Sequence, residues 1–185
     1  MEEKKINSVH SSFWSNVFYP APNKADLKKY LNTLPLFSQL NKRELSHLIS
    51  IIHNRNYLLG EYIFHQGEPG MGLYIILDGR VIIQRVLANQ EIITLASLVE
   101  NEFFGELALV DGEKRSASAI AETDCKLAVI FKPDLDEFIE KHPKPGVKIL
   151  QAISTVLTER LRNLNEDYIS ELTKSKIKKG SEHGT

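Results

Sequence analysis

Cysteine is nearly absent from this 185-residue chain, where Cys125 stands alone. A disulfide within the chain is thereby excluded, as is a zinc site built on several thiolates, and a reducing compartment suits the sequence. Also missing is any apolar run near the roughly 20 residues that a membrane-spanning helix requires. The opening MEEKKINSVHSS lacks the apolar stretch of an export signal. An unexported, cytoplasmic protein with no membrane partner is the expectation. Charge of one sign is scarce too: 23 Lys and Arg against 24 Asp and Glu leave a net charge of -1, which gives no broad pull toward nucleic acid. Catalytic signatures are equally thin. There is no Ser-His-Asp set, no metal-spaced group of histidines and no Gly-Lys-Ser/Thr phosphate loop, and His47, His53 and His65 fall on different predicted elements. The chain is therefore read as not an enzyme, with no cofactor and no metal.

What is present is periodicity that changes along the chain. Residues 1–25 form a polar arm with Phe13, Trp14, Phe18 and Tyr19 ahead of Pro20-Ala21-Pro22; these aromatics either cap the chain's own core or dock a partner. From Asp26 to Ile52, Leu27, Tyr30, Leu31, Leu45, Leu48, Ile49 and Ile52 recur at helical spacing, broken at Leu34-Pro35-Leu36-Phe37, which predicts two helices with a kinked join. After Tyr57 come short apolar runs: Tyr62 to Phe64, Leu73 to Leu77, Val81 to Val86, Ile92 to Leu98 and Lys126 to Phe131. Separated by turns such as Gly67-Glu68-Pro69-Gly70 and Asp78-Gly79, they predict an antiparallel barrel or sandwich. Helical spacing returns at Leu135, Phe138 and Ile139, breaks over Pro143 to Gly146, and then runs to about Lys176. The boundaries expected are an arm at 1–25, a domain at 26–145, a C-terminal helix at 146–176 and a basic tail at 177–185.

The chemistry concentrates in Phe104-Gly105-Glu106-Leu107-Ala108-Leu109 and, nine residues after Glu106, Arg115-Ser116-Ala117-Ser118-Ala119. A short helical turn after Gly105 would present free backbone N–H groups to an anion. Arg115 beside small residues would set a guanidinium fork against a wall without bulk. One guanidinium suits a singly charged phosphodiester. A carboxylate such as Glu106 suits a ribose hydroxyl and disfavours more highly charged phosphates. The other reading of these two residues is an ordinary ion pair on a loop.

This segment, together with Leu34-Pro35-Leu36-Phe37, Gly60-Glu61, Gln66 to Gly70 and Leu77-Asp78-Gly79, resembles the cyclic-nucleotide-binding domain family. The type is that of cAMP receptors and protein kinase A regulatory subunits, here in a stand-alone form. The likeness runs from about Leu34 to Tyr168. It implies an α+β fold, an eight-stranded antiparallel jelly-roll β-barrel flanked by N-terminal helices and a long C-terminal helix. It also implies ligand contacts from Gly105, Glu106, Leu107, Ala108, Arg115, Ser116 and Ala117, with Glu106 on the 2′-hydroxyl and Arg115 on the cyclic phosphate. Lys114 departs from the proline frequent in eukaryotic members. Ser116 leaves the base open between cAMP, which is favoured, and cGMP, and the register of the last helix would turn Arg160, Leu164 and Asn165 toward the purine.

That helix carries Leu150, Ile153, Leu157, Leu161, Leu164 and Tyr168 on one stripe, a spacing compatible with pairing to a second copy, so a homodimer is expected. With 17 residues after Tyr168, no DNA-reading motif and no DNA partner are expected. A regulatory protein that binds a cyclic mononucleotide and signals to an effector protein follows from the whole reading.

Overall fold

The computed structural model describes residues 24–182; the aromatic cluster of the N-terminal arm lies outside them. Helix α1 (Lys24–Leu31) is followed by a 3-10 turn at Pro35–Phe37 and helix α2 (Lys42–Ile49), so the kinked pair expected from the apolar spacing is present. Asn41 starts α2 because its side chain accepts hydrogen bonds from the N–H groups of Arg43 and Glu44 while the Glu44 carboxylate accepts from the Asn41 N–H. Reciprocal capping of this kind satisfies donors that a helix end otherwise leaves open. Leu45, Leu48 and Ile49 then face the core.

Eight strands follow: β1 (Ile52–Tyr57), β2 (Tyr62–Phe64), β3 (Gly72–Asp78), β4 (Val81–Val86), β5 (Ile92–Leu98), β6 (Phe103–Phe104), β7 (Ser118–Ala121) and β8 (Cys125–Phe131). They form two four-stranded antiparallel sheets, ordered β1-β8-β3-β6 and β2-β7-β4-β5. This is the double-sheet jelly-roll arrangement, in eight strands. The α+β class and the strand number expected above hold, with two sheets in place of a closed barrel.

Two cores share the sheet β1-β8-β3-β6. On one face Leu73, Ile75, Ala128 and Ile130 pack against α1, α2 and the helices that follow β8. On the other, Tyr74, Ile76, Leu127 and Val129 meet Ile63, Val81, Phe104 and Ala119 between the sheets. Strands β3 and β8 are thus covered on both faces, which is why they read as unbroken apolar runs instead of alternating ones.

A short helix α3 (Leu107–Asp111) interrupts the strands between β6 and β7. After β8 come α4 (Lys132–Lys141) and the 40-residue α5 (Pro143–Glu182). The break expected over Pro143 to Gly146 shrinks to His142, because proline in a first turn gives up no intrahelical donor and its fixed φ already suits a helix. Gly146 has a different reason to be glycine: a Cβ there would lie 2.9 Å from Ile139 Cγ1 and 3.2 Å from its Cα, so the bare backbone lets α5 cross closely over α4. The first turns of α5 bury Ile149 and Ile153, and Lys148 reaches both oxygens of Glu44 at 3.0 and 2.8 Å. Burial is lost farther on: Leu161, Leu164, Tyr168, Ile169 and Leu172 are all exposed. No helix among the described residues is long and apolar enough to cross a membrane.

Candidate ligand pocket of the jelly roll

Strand β6 brings the chain into the site on two aromatic anchors. Phe103 points into the helix-side core and Phe104 into the core between the sheets, where its ring stacks on Tyr74 at 5.2 Å. Gly105 follows at φ +82°, a region that costs little only to glycine. A Cβ at this position would sit 2.8 Å from both Arg115 Nη1 and the Gly72 carbonyl oxygen. The glycine is therefore required twice, by its backbone angle and by the guanidinium against its face.

Arg115 is buried. Its Nη1 donates to the Gly105 carbonyl at 3.0 Å and its Nη2 to the Gly72 carbonyl at 2.9 Å. The Phe64 ring lies 4.1 Å from the guanidinium carbon, a cation–π distance. The neighbouring backbone is clamped as well, since Arg115 N–H donates to the Glu68 carbonyl and Gly67 N–H to the Arg115 carbonyl, both at 2.8 Å. Burial pulls the guanidinium below its ordinary range, with Tyr74, Glu106 and Glu68 acting in the opposite direction. Its Nε is buried with no hydrogen-bond partner among the described residues, an unusual state for a charged group removed from water. Two carbonyls and a ring face hold the guanidinium in place, and its Nε–H is left without a partner among the described residues.

Glu106 is buried too, yet it does not pair with Arg115. Its Oε1 accepts from Arg160 Nη1 on α5 at 2.5 Å, while Arg160 Nη2 donates to the Phe103 carbonyl at 2.8 Å and the guanidinium lies 5.0 Å from the Phe103 ring centre. The alternative of a Glu106–Arg115 loop ion pair is thus not what forms. Each member of the expected pair has its own partner, and Arg160 draws the last helix onto the segment that carries Glu106.

These groups open into a cavity of about 740 Å³ lined by Gly105, Glu106, Leu107, Arg115, Ser116 and Ala117, with Arg160 and Leu164 from α5. Asn165 is exposed and outside the lining, and the side chain of Ala108 lies outside those described. Residues that sequence reasoning did not assign to the site complete it: Phe64, Ile83, Leu95, Ala96, Leu98, Glu102, Phe104, Glu113 and Lys114 from the sheets and loops, and Leu157 and Leu161 from α5. The sheet residues carry no chemical signature, and which way they face depends on strand register. Leu95 is set by a bulge: Ile83 pairs with Ala96 and Gln84 with Thr94, so Leu95 is passed over and shares the cavity with its neighbour Ala96. Irregular pairing re-aims side chains in this way.

A buried guanidinium, a buried carboxylate and a cavity of mixed polar and apolar lining come together on a jelly roll, the arrangement of a small-ligand-binding domain. Residues 54–142 match the family model described as the cyclic nucleotide-binding domain, and the chain contains a domain of that family. The cyclic AMP receptor protein of Thermus thermophilus is 35% identical over 128 residues, covering 69% of this chain and 57% of that protein. The cAMP-dependent protein kinase regulatory subunit of Hypocrea atroviridis is 30% identical over 105 residues, 57% of this chain and 22% of that one. This chain thus spans only part of the length of these curated relatives. Among solved structures, a cyclic nucleotide-binding domain from Methylobacillus flagellatus superposes with a TM-score of 0.71 at 26% identity, covering 80% of this chain and 83% of that one.

Proposed function

We propose that the chain is a cytoplasmic sensor that binds a 3′,5′-cyclic mononucleotide, cAMP foremost, in this cavity and passes the binding event to an effector protein through α5. The observation that carries the reading is the buried Arg115, held by two carbonyls with its Nε still unpaired in the same cavity as the buried Glu106. In this reading Arg115 holds the cyclic phosphate, and the backbone of 105–108 with Ser116 and Ala117 surrounds it. The Glu106 carboxylate accepts from the 2′-hydroxyl, and Arg160 and Leu164 cover the base. The relatives named for cyclic AMP support cAMP as the first ligand to try.

A ligand moves α5 only by binding better to one of its positions. The Arg160–Glu106 contact joins the helix to a proposed ligand-contact residue, so nucleotide and helix meet at one carboxylate. The exposed stripe Leu161, Leu164, Tyr168 and Leu172 is proposed to pair with a second copy, as apolar residues three and four apart do in coiled coils; sedimentation of wild type against Tyr168→Glu/Leu172→Glu tests this, a monomeric wild type being the failing result.

The central test is calorimetric titration of cAMP into wild type and Arg115→Leu, with melting followed in parallel. Ligand at a hundred times its dissociation constant adds about 2.7 kcal/mol of stability, so wild type should melt higher with cAMP. Arg115→Leu should fold and lose that shift. Heat of binding retained by Arg115→Leu, or absent from wild type, defeats the reading.

A further inference from the structure

Lys132 opens α4, and a cation in the first turn of a helix meets the positive end of the helix dipole, where a carboxylate would be favoured. Its ammonium reaches oxygens on two helices. It donates to the Leu109 carbonyl of α3 at 3.2 Å and lies 3.3 Å from the Asp136 carboxylate one turn farther along α4. The Asp136 contact joins partly exposed side chains four residues apart, a kind of pair that adds little stability. The Leu109 contact crosses 23 residues of chain to the end of a five-residue helix, whose carbonyls have no acceptor role within so short an element. A lysine unfavourably placed on its own helix thus serves the C-terminal end of another. Departures of this kind from local preference are expected where a residue answers to something outside its own element.

The reach starts from a fixed point. The Lys132 N–H donates to the Met71 carbonyl at 2.9 Å, and the next residue, Gly72, pairs with Phe131 and holds Arg115 Nη2 through its own carbonyl. On the other side, Leu109 is buried in the helix-side core with Leu135 and Phe138 of α4, and its N–H donates to the Glu106 carbonyl at 3.1 Å. Helix α3 is therefore held between Glu106, which lines the cavity, and the Lys132 ammonium, which stands outside the lining. We propose that Lys132 is a positioning residue: by fixing the end of α3 it sets where Glu106 and Leu107, in the lining at its start, stand against Arg115. With a cyclic nucleotide bound as proposed above, on which this step rests, Lys132 governs affinity without touching the ligand.

The experiment is calorimetric titration of cAMP into the full chain as wild type, Lys132→Met, Lys132→Arg and Asp136→Asn, with amide hydrogen exchange on the unliganded proteins. Methionine keeps an unbranched apolar stem and removes the donor and the charge. Lys132→Met should bind cAMP about fivefold or more weakly, Lys132→Arg should return to within about threefold of wild type, and Asp136→Asn should stay within about twofold. Exchange should quicken at 107–111 in Lys132→Met and remain at the wild-type rate there in Asp136→Asn. Equal affinity of Lys132→Met and wild type would overturn the inference while leaving the cyclic-nucleotide reading intact. Equal losses in Lys132→Met and Asp136→Asn, with faster exchange along 135–141 in both, would overturn it in another way, by making Lys132 only a support of α4. Failure of wild type to bind cAMP would remove both the inference and the proposed function beneath it.

Discussion

The two ends of the cavity are built to different standards. At the Arg115 end, the chain is fixed by buried contacts: Phe104 is locked between sheets, Gly105 is pinned against a guanidinium, and the Arg115 backbone is tied to the 67–68 turn. At the α5 end, leucines on an exposed helix cover the space, and one arginine fastens them to Glu106. The first end, the anion site of the proposed reading, is assembled by the protein's own contacts. The second is a largely exposed surface, held to the site through Arg160. On the proposed reading one end recognises and the other reports.

The comparison breaks most readily at Phe104. Truncating a buried aromatic costs about 3–5 kcal/mol, so Phe104→Ala should lower denaturant stability by that amount. Leu164→Ala, on an exposed helix face, should fall within about 0.5 kcal/mol of wild type. Equal losses would mean that the two ends are equally structural. Next in size is Gly105→Ala, which adds a methyl where 2.8 Å remains to Arg115 and forces φ +82° on an L-residue; a tenfold or greater weakening of cAMP in titration is expected, with about 1–3 kcal/mol of strain in the melt.

A smaller effect sharpens the α5 end. Arg160 is 41% exposed in its side chain and Glu106 only 6%, so Arg160→Met strands a buried carboxylate, whereas Arg160→Met/Glu106→Gln does not. The double variant should therefore recover part of the roughly 1–2 kcal/mol that the single one loses. A double variant less stable than the single one would show that Glu106 has other supports.

The smallest expected change depends on pH. Glu44 titrates below its ordinary 4.5 because of the hydrogen bond from Lys148 and then that from the Asn41 N–H. Its ionised form is the one that folding favours. The stability it adds is present in full above the unfolded carboxylate value and is lost as pH falls through the lower folded one. Denaturation of wild type and Glu44→Gln from neutral pH into acid should show their difference shrinking only in that acid window. A difference that persists unchanged below it would place the effect in the helix cap alone.

What the sequence discloses of this protein follows how local each feature is. The loop chemistry was legible, because Gly105, the short turn after it and Arg115 beside small residues depend on near neighbours, and the apolar runs of β3, β4 and β8 could not be mistaken. Strand β1 was not: IHNRNY alternates little and earns its place only by pairing with β8 along its whole length. Strand β6 is two residues long, too short for any periodicity to register. Leu95 entered the cavity through an irregularity in pairing, and Glu106 was matched to a hydroxyl without any hint of Arg160, which lies 54 residues away in the chain. Those partners are products of folding, beyond the reach of spacing.

The crossing at Gly146 has a mechanical consequence. Helix α5 is 40 residues long, so at about 1.5 Å of rise per residue it extends roughly 60 Å, and a swing of only about 5° at its root sweeps the far tip by about 5 Å. On the proposed reading, a small adjustment at this close crossing would reach the opposite end of α5 as a displacement as large as a side chain.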